Sequence, residues 1–180
     1  DAEYVVEKGG LKAALEAVKE GKVRFIGFTG HKDPRIHLKM LAVHPWASAQ
    51  MPINVMDAWY RSFQNEVVPV CQKKGVGVIG MKNLGGGPVT GRIPERTKIS
   101  AEQCVRFGLS LPVSTLVRGY TSLEQLKQDV AIARHFQPLS ADQKREILAL
   151  AKPDATDGRH EIFKSTQFYD SGHHRAQHGF

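Results

Sequence analysis

"GKVRFIGFTGHKDP", residues Gly21 to Pro34, runs from a basic helix tail into a short apolar stretch and breaks off in Thr29, Gly30 and His31. "VRFIGF" (Val23 to Phe28) is rich in β-branched and aromatic residues and bounded by Gly21 and by "TG", the marks of a short strand. Before it, Leu11, Ala14, Leu15 and Val18 recur at i, i+3, i+4 and i+7, one face of an amphipathic helix reaching about Glu20. Helix therefore passes directly into strand.

The same alternation repeats three times, with strand candidates "ASAQMPI" (Ala47 to Ile53), "VGVIGM" (Val76 to Met81) and "STLV" (Ser114 to Val117). The helical segments carry start signals: Ser100 with Gln103, Ser122 with Gln125 and Ser140 with Gln143 each fit a capping box. Behind the second, Leu123, Leu126 and Val130 form an apolar stripe, and behind the third Ile147, Leu148 and Leu150 do. Most of these positions are expected in the core. Strand and helix in alternation imply parallel strands with right-handed helical crossovers, in an open doubly wound sheet or a closed (β/α)8 TIM barrel. Four units make half a barrel or a small open sheet, and either leaves strand edges that want a partner.

The 180 residues, 41% hydrophobic and 24% charged, are ordinary for a globular chain, and one domain is the default. No run approaches the roughly 20 apolar residues of a membrane span, and "DAEYVVEKGG" lacks the features of a signal peptide. A cytoplasmic protein is expected, and the opening on Asp1 reads as a processed or truncated piece. The net charge of +7 favours anionic ligands. Basic residues are scattered without interleaved aromatics, so neither nucleic acid nor membrane is an expected partner. Cys71 and Cys104 fall in helical segments far from C-x-x-C spacing and read as buried, inert thiols.

Ligands gather outside the carboxyl ends of parallel strands. Four such ends offer candidates: Thr29 to His31; Ile53 and Asn54; Lys82 to Leu84 leading into Gly85 to Gly87; and Gly119 to Ser122. Glycines let backbone N–H groups approach a phosphate, Lys82 adds charge, and the helix start after Ser122 favours an anion. That is how a nucleotide is held, although "GGG" alone is more often a turn. Tyr60, His31, His44 and Asp57 also lie near strand ends, but no spacing among them forms an acid/base dyad, so each reads as pocket wall or surface. His173, His174 and His178 lack a carboxylate or cysteine to complete a metal site and read as part of a flexible terminus.

With these residues in view, the chain resembles the carboxyl-terminal half of an aldo/keto reductase, in the bacterial branch of predicted oxidoreductases. The likeness spans "GGLKAALEAVKEGKVRFIGFTGHKDP", "QMPINVMDAWYRSF", "GVIGMKNLGGG" and "STLVRGYTSLEQLKQDV", in the family's order and spacing. The resemblance implies a (β/α)8 barrel with these strands as the fifth to eighth. Residues 1–152 would be the cofactor-binding half, and 153–180 a carboxyl-terminal extension or tail. It further implies NADP(H), more than NAD(H), across the strand ends. Thr29, Gly30 and Gln50 would bind the nicotinamide carboxamide, and Met81 would pack on the ring. Lys82, Leu84, Gly85 and Gly86 would lie over the pyrophosphate; Arg118, Gly119, Thr121, Gln125 and Asp129 would meet the adenosine phosphate. Trp59 and Tyr60 would line the mouth for a small carbonyl substrate.

Several positions depart from the family. Asn83 stands where a Pro is usual, Gly119 where many members have a Lys, and Gln125 and Asp129 where Arg and Asn are frequent. Arg118 would compensate, since a guanidinium suits a phosphate. No cysteine run of an iron–sulfur segment follows. The family's catalytic Asp, Tyr, Lys and His lie upstream of the matched segment, so the resemblance assigns no catalytic residue to this chain, which alone would be inactive. A rival is a noncatalytic nucleotide-binding half-barrel that pairs with itself or a partner through open sheet edges. A nucleic-acid binder is disfavoured by the scattered charge.

Overall fold

The computed structural model describes residues 2–85 and 92–165. Two helices, α1 (Ala2–Glu7) and α2 (Gly10–Lys19), precede β1 (Gly27–Thr29). Asp33 caps α3 (Pro34–Val43) by accepting from the Arg35 N–H at 2.9 Å, with Pro34 at the first helical position where its missing donor is harmless. There follow β2 (Ser48–Pro52), α4 (Phe63–Glu66), α5 (Val68–Lys74), β3 (Gly77–Met81), α6 (Ile93–Arg96), α7 (Ala101–Leu109), β4 (Thr115–Leu116), α8 (Leu123–Arg134), α9 (Ala141–Ala155) and α10 (Ile162–Ser165). The four strands form one parallel sheet in the order β1-β2-β3-β4. That is the alternation expected from the sequence. Among the described residues, no helix is long and apolar enough to cross a membrane.

The sheet is covered on one face. Ala49, Met51 and Val78 point into a core with Leu41, Trp46, Phe63 and Cys71, supplied by α3, α4 and α5 and the segments beside them. Ser48, Gln50, Ile79 and Met81 alternate with them on the other face and are only half-buried. Parallel sheets are ordinarily buried on both faces, and here the described residues leave this second face open. A second core joins α7 and α9 through Cys104, Phe107, Ile147 and Ala151 to Val55 and Met56 in the loop after β2.

Three local expectations are corrected. The ladder of β1 starts at Gly27, four residues later than expected, and Val23 and Phe25 are exposed, Phe25 to 73%. Among the described residues β1 is an edge strand that pairs only with β2. The stripe Leu123, Leu126 and Val130 is exposed as well, and so is Leu150, whereas Ile147 is buried. The stripe on α8 follows β4, the opposite edge, and no described element packs over it. The capping boxes at Ser100 and Ser140 form reciprocally. At Ser122 only half does: Ser122 Oγ accepts from the Gln125 N–H, but the Gln125 side chain turns to Thr121.

Candidate functional site

The sheet register assembles the strand ends. Thr29 stands beside Gln50, Gln50 beside Ile79, and Pro52 beside Met81, while the backbone bonds Gly30 N–H to Gln50 O (3.2 Å) and Val117 N–H to Gly80 O (2.8 Å) continue the ladder upward. Thr29, Gln50 and Met81 thus form a row along the open face, with Gly30 following Thr29 and facing the covered side. The Gln50 amide donates from Nε2 to Met81 Sδ at 3.4 Å, so these two side chains meet. A thioether is a weak acceptor, which leaves this amide able to turn to a better partner.

Beneath Gly30 lies His37, buried, its Nε2 donating to the Gln50 carbonyl at 3.0 Å. Burial pushes its pKa down, so the ring is held neutral. A Cβ on Gly30 would come within 2.8 Å of His37 Cε1, which explains the glycine by close approach. His37 escaped the sequence reading because it sits a turn into α3, away from any strand end.

After β3, Lys82 has φ +54°, Gly85 has φ +87°, and Gly85 N–H closes a turn onto Lys82 O at 2.8 Å. Asn83 is buried, its Nδ2 donating to Ile53 O (3.2 Å) and Cys104 O (2.9 Å), so it straps this turn to β2 and α7. Gly108 is needed opposite, where a Cβ would meet Asn83 Nδ2 at 2.6 Å. Leu84 is half-buried against the α7–α9 core. Gly86 and Gly87, like His173, His174 and His178, lie outside the described residues.

After β4 the candidates bind one another. Arg118 Nε donates to Asp129 Oδ2 at 2.7 Å, with both side chains largely buried. Thr121 donates from N and Oγ1 to Gln125 Oε1 at 3.0 and 3.2 Å, and Gly119 faces open space. Trp59 and Tyr60 are half-buried: Trp59 Nε1 donates to Leu148 O of α9 at 3.2 Å, and Arg61 lies over the Tyr60 ring.

Asp57, expected on a surface or pocket wall, is wholly buried, and here the sequence reading is corrected. Its partner is Lys164, whose Nζ donates to Asp57 Oδ1 (2.5 Å), Glu161 Oε2 (3.0 Å) and Tyr60 O (3.0 Å). Burial raises the pKa of Asp57 and pushes Glu161 up to about 7, with Lys164 opposing both shifts. Phe163 packs beside this group, under Lys82 Nζ (5.0 Å) and against the edge of His31. Residues 161–164 therefore lie across the strand ends. Glu161 stands three positions from Lys164, but Asp57 stands 107 away, and no local pattern could pair those two. His44 ends α3 with its ring against Trp46.

Both cysteines are buried, and burial raises both thiols, Cys104 to about 12, which agrees with inert thiols. Among the described residues no group of His, Cys, Asp or Glu could hold a metal ion.

Comparison with known proteins matches residues 8–106 to the model of the Aldo/keto reductase family. A soybean (Glycine max) protein called "Probable aldo-keto reductase 1" is 33% identical over 70 residues, 39% of this chain and 19% of its own length. Among solved structures, the holo form of aldo-keto reductase AKR11C1 from Bacillus halodurans is similar with a TM-score of 0.61 and 23% identity. The match covers 83% of this chain and 58% of that one. The thermostable aldo-keto reductase Tm1743, solved with the inhibitor epalrestat, gives 0.56 and 22%, over 78% and 53%. The chain thus spans about half the length of these structures and about a fifth of the soybean protein.

Proposed function

Because the chain belongs to the aldo/keto reductase family, we propose that the whole protein reduces aldehydes or ketones to alcohols with a nicotinamide dinucleotide, and that this chain is its cofactor-binding half. The observation carrying this reading is the row Thr29, Gln50 and Met81 along the open sheet face, with Gly30 at its strand end, continued by the left-handed Lys82 turn and by Arg118. The donor set fits the group. Thr29 and the Gln50 amide match a carboxamide, Met81 offers an apolar surface to a ring, and the Lys82–Gly85 turn and Arg118 suit phosphates.

When bound, the dinucleotide supplies a hydride for the carbonyl carbon. The chain's own residues orient it: Gln50 and Thr29 fix one end, Lys82 and Gly85 the middle, and Arg118, Gly119, Thr121 and Gln125 the other. NADP(H) is favoured over NAD(H) through Arg118, and Asp129, already paired with that guanidinium, weakens the preference. Trp59 and Tyr60 border the substrate mouth. The proton donor to the carbonyl oxygen lies outside this chain in this reading. General acid help is worth about 10²- to 10⁴-fold, so the 180 residues alone should show little turnover.

Titration of the folded chain with NADPH and NADH, followed by quenching of Trp fluorescence, tests the reading. Saturable binding weakened by Gln50→Ala supports it; no binding by a folded preparation overturns it. The exposed Leu123, Leu126 and Val130 also favour a second reading, a nucleotide-binding half-barrel that pairs with a copy of itself. Sedimentation separates the two, since that reading requires a stable dimer.

A further inference from the structure

The buried cluster of Asp57, Glu161 and Lys164 stands beside the strand-end row, and the residues proposed for the dinucleotide do not include it. Each hydrogen of the Lys164 ammonium has an acceptor: Asp57, Glu161 and the Tyr60 carbonyl. With the lysine committed to one oxygen of Glu161, the other, Oε1, accepts from Asn54 Nδ2 at 3.0 Å. The Asn54 amide is then fully determined. Its Oδ1 accepts from the N–H groups of Met56 (2.8 Å) and Asp57 (3.0 Å), and its second Nδ2 hydrogen points to the Lys82 carbonyl at 3.4 Å.

That carbonyl belongs to a residue in a left-handed conformation, which persists in a non-glycine residue only where the surroundings hold it. Two contacts do so, one from the loop after β2 and one from the carboxyl-terminal segment. Asn54, aligned by Glu161, holds the main chain, and Phe163 lies under the Lys82 ammonium at 5.0 Å. The same carbonyl accepts from Gly85 N–H and so closes the turn.

We propose that Glu161 is a positioning residue for the loop after β3, aligning the Asn54 amide so that the Lys82–Gly85 turn keeps the shape that receives the phosphates of a dinucleotide. The last clause rests on the proposed function; the positioning itself does not. Glu161→Gln is a clean probe of it. The variant leaves Asp57 and Lys164 as a balanced pair, so the fold keeps its anchor. A glutamine presents only one acceptor oxygen, and the Lys164 ammonium competes for it.

Hydrogen exchange at the Gly85 amide reads the turn directly, with the Cys104 amide, bonded to Ser100 O in α7, as the reference. Glu161→Gln and Asn54→Ala should each speed Gly85 exchange about tenfold, the weight of one ordinary hydrogen bond. Cys104 should not speed up. In the double variant Glu161→Gln should add nothing to Asn54→Ala, because it acts through that amide. Unchanged Gly85 exchange, additive effects, or Gly85 and Cys104 accelerating together would each overturn the proposal. The NADPH dissociation constant measured on the same variants should rise in step with Gly85 exchange. A wild-type chain that binds no dinucleotide removes the proposed function, while the exchange pattern still decides the role of Glu161.

Discussion

Replacing Glu161 by Gln should change how stability depends on pH. Glu161 is buried with its pKa raised from 4.5 to about 7, chiefly by desolvation. A carboxyl group raised in the folded state binds more protons folded than unfolded between those two values, so its contribution to stability falls as pH climbs through that window and levels off above 7. At about 1.4 kcal/mol per pKa unit, the loss is about 3 kcal/mol between pH 4.5 and pH 8. Glutamine carries no such burden. His37 and His160, both depressed by burial, act in the opposite sense below about pH 6.5, so the raw curve of either protein mixes the terms. The difference between variant and wild type isolates Glu161. Losing a hydrogen bond to a charged acceptor costs the variant about 1.5–3 kcal/mol at neutral and alkaline pH. Urea unfolding at pH 5, 6, 7 and 8 with unchanged m-values measures the difference. It should move by about 3 kcal/mol in the variant's favour as pH rises. A difference constant with pH, or one moving toward the wild type, refutes the buried charged cluster as described.

Other outcomes follow from single contacts. Gly30→Ala should cost about 1–3 kcal/mol in thermal unfolding, because its Cβ would meet the His37 ring at 2.8 Å; a smaller side chain at position 37 should recover part of it. Asp129→Asn should free Arg118 and shift the ratio of NADPH to NADH affinity about tenfold toward NADPH, the scale of one charge-assisted bond; an unchanged ratio removes Arg118 from the phosphate site. Leu126→Lys with Val130→Lys should leave the unfolding free energy within about 0.5 kcal/mol while lowering self-association seen by sedimentation, since both side chains are exposed. Cys71 and Cys104 should resist a thiol reagent at pH 8 until the protein is unfolded.

The parallel architecture was readable because each strand announces itself locally. Apolar runs such as Val76–Met81 end in residues that cannot continue them, and Ser and Asp caps mark the next helix. What periodicity cannot say is which neighbour covers an apolar face. Leu123, Leu126 and Val130 have the spacing of a core stripe, yet α8 follows the edge strand β4, and no described element packs over them. The same limit explains Phe25, a good strand former beside the edge strand β1, exposed because no described strand pairs on the outer side. Amphipathic pattern reports a surface that wants burial, and the supply of a partner is a property of the rest of the fold.

The site divides along the same line. Thr29, Gln50 and Met81 sit at equivalent ends of neighbouring strands, so finding the strands places them together without further information. Asp57 and Lys164 are separated by 107 positions and share no motif. A buried lysine is unfavourable unless carboxylates meet it at hydrogen-bonding distance, and the two it finds come from the loop after β2 and from the turn before α10. Replacing Lys164 alone would leave two carboxylates in an apolar setting without a counterion, at a cost of about 3–5 kcal/mol. Removing either carboxylate leaves a balanced pair, but Asp57 also accepts from the N–H groups of Phe63 and Gln64, and Glu161 is the member whose removal spares those bonds. It is therefore the residue where the cluster's influence on the Lys82 turn separates from its anchoring of the chain.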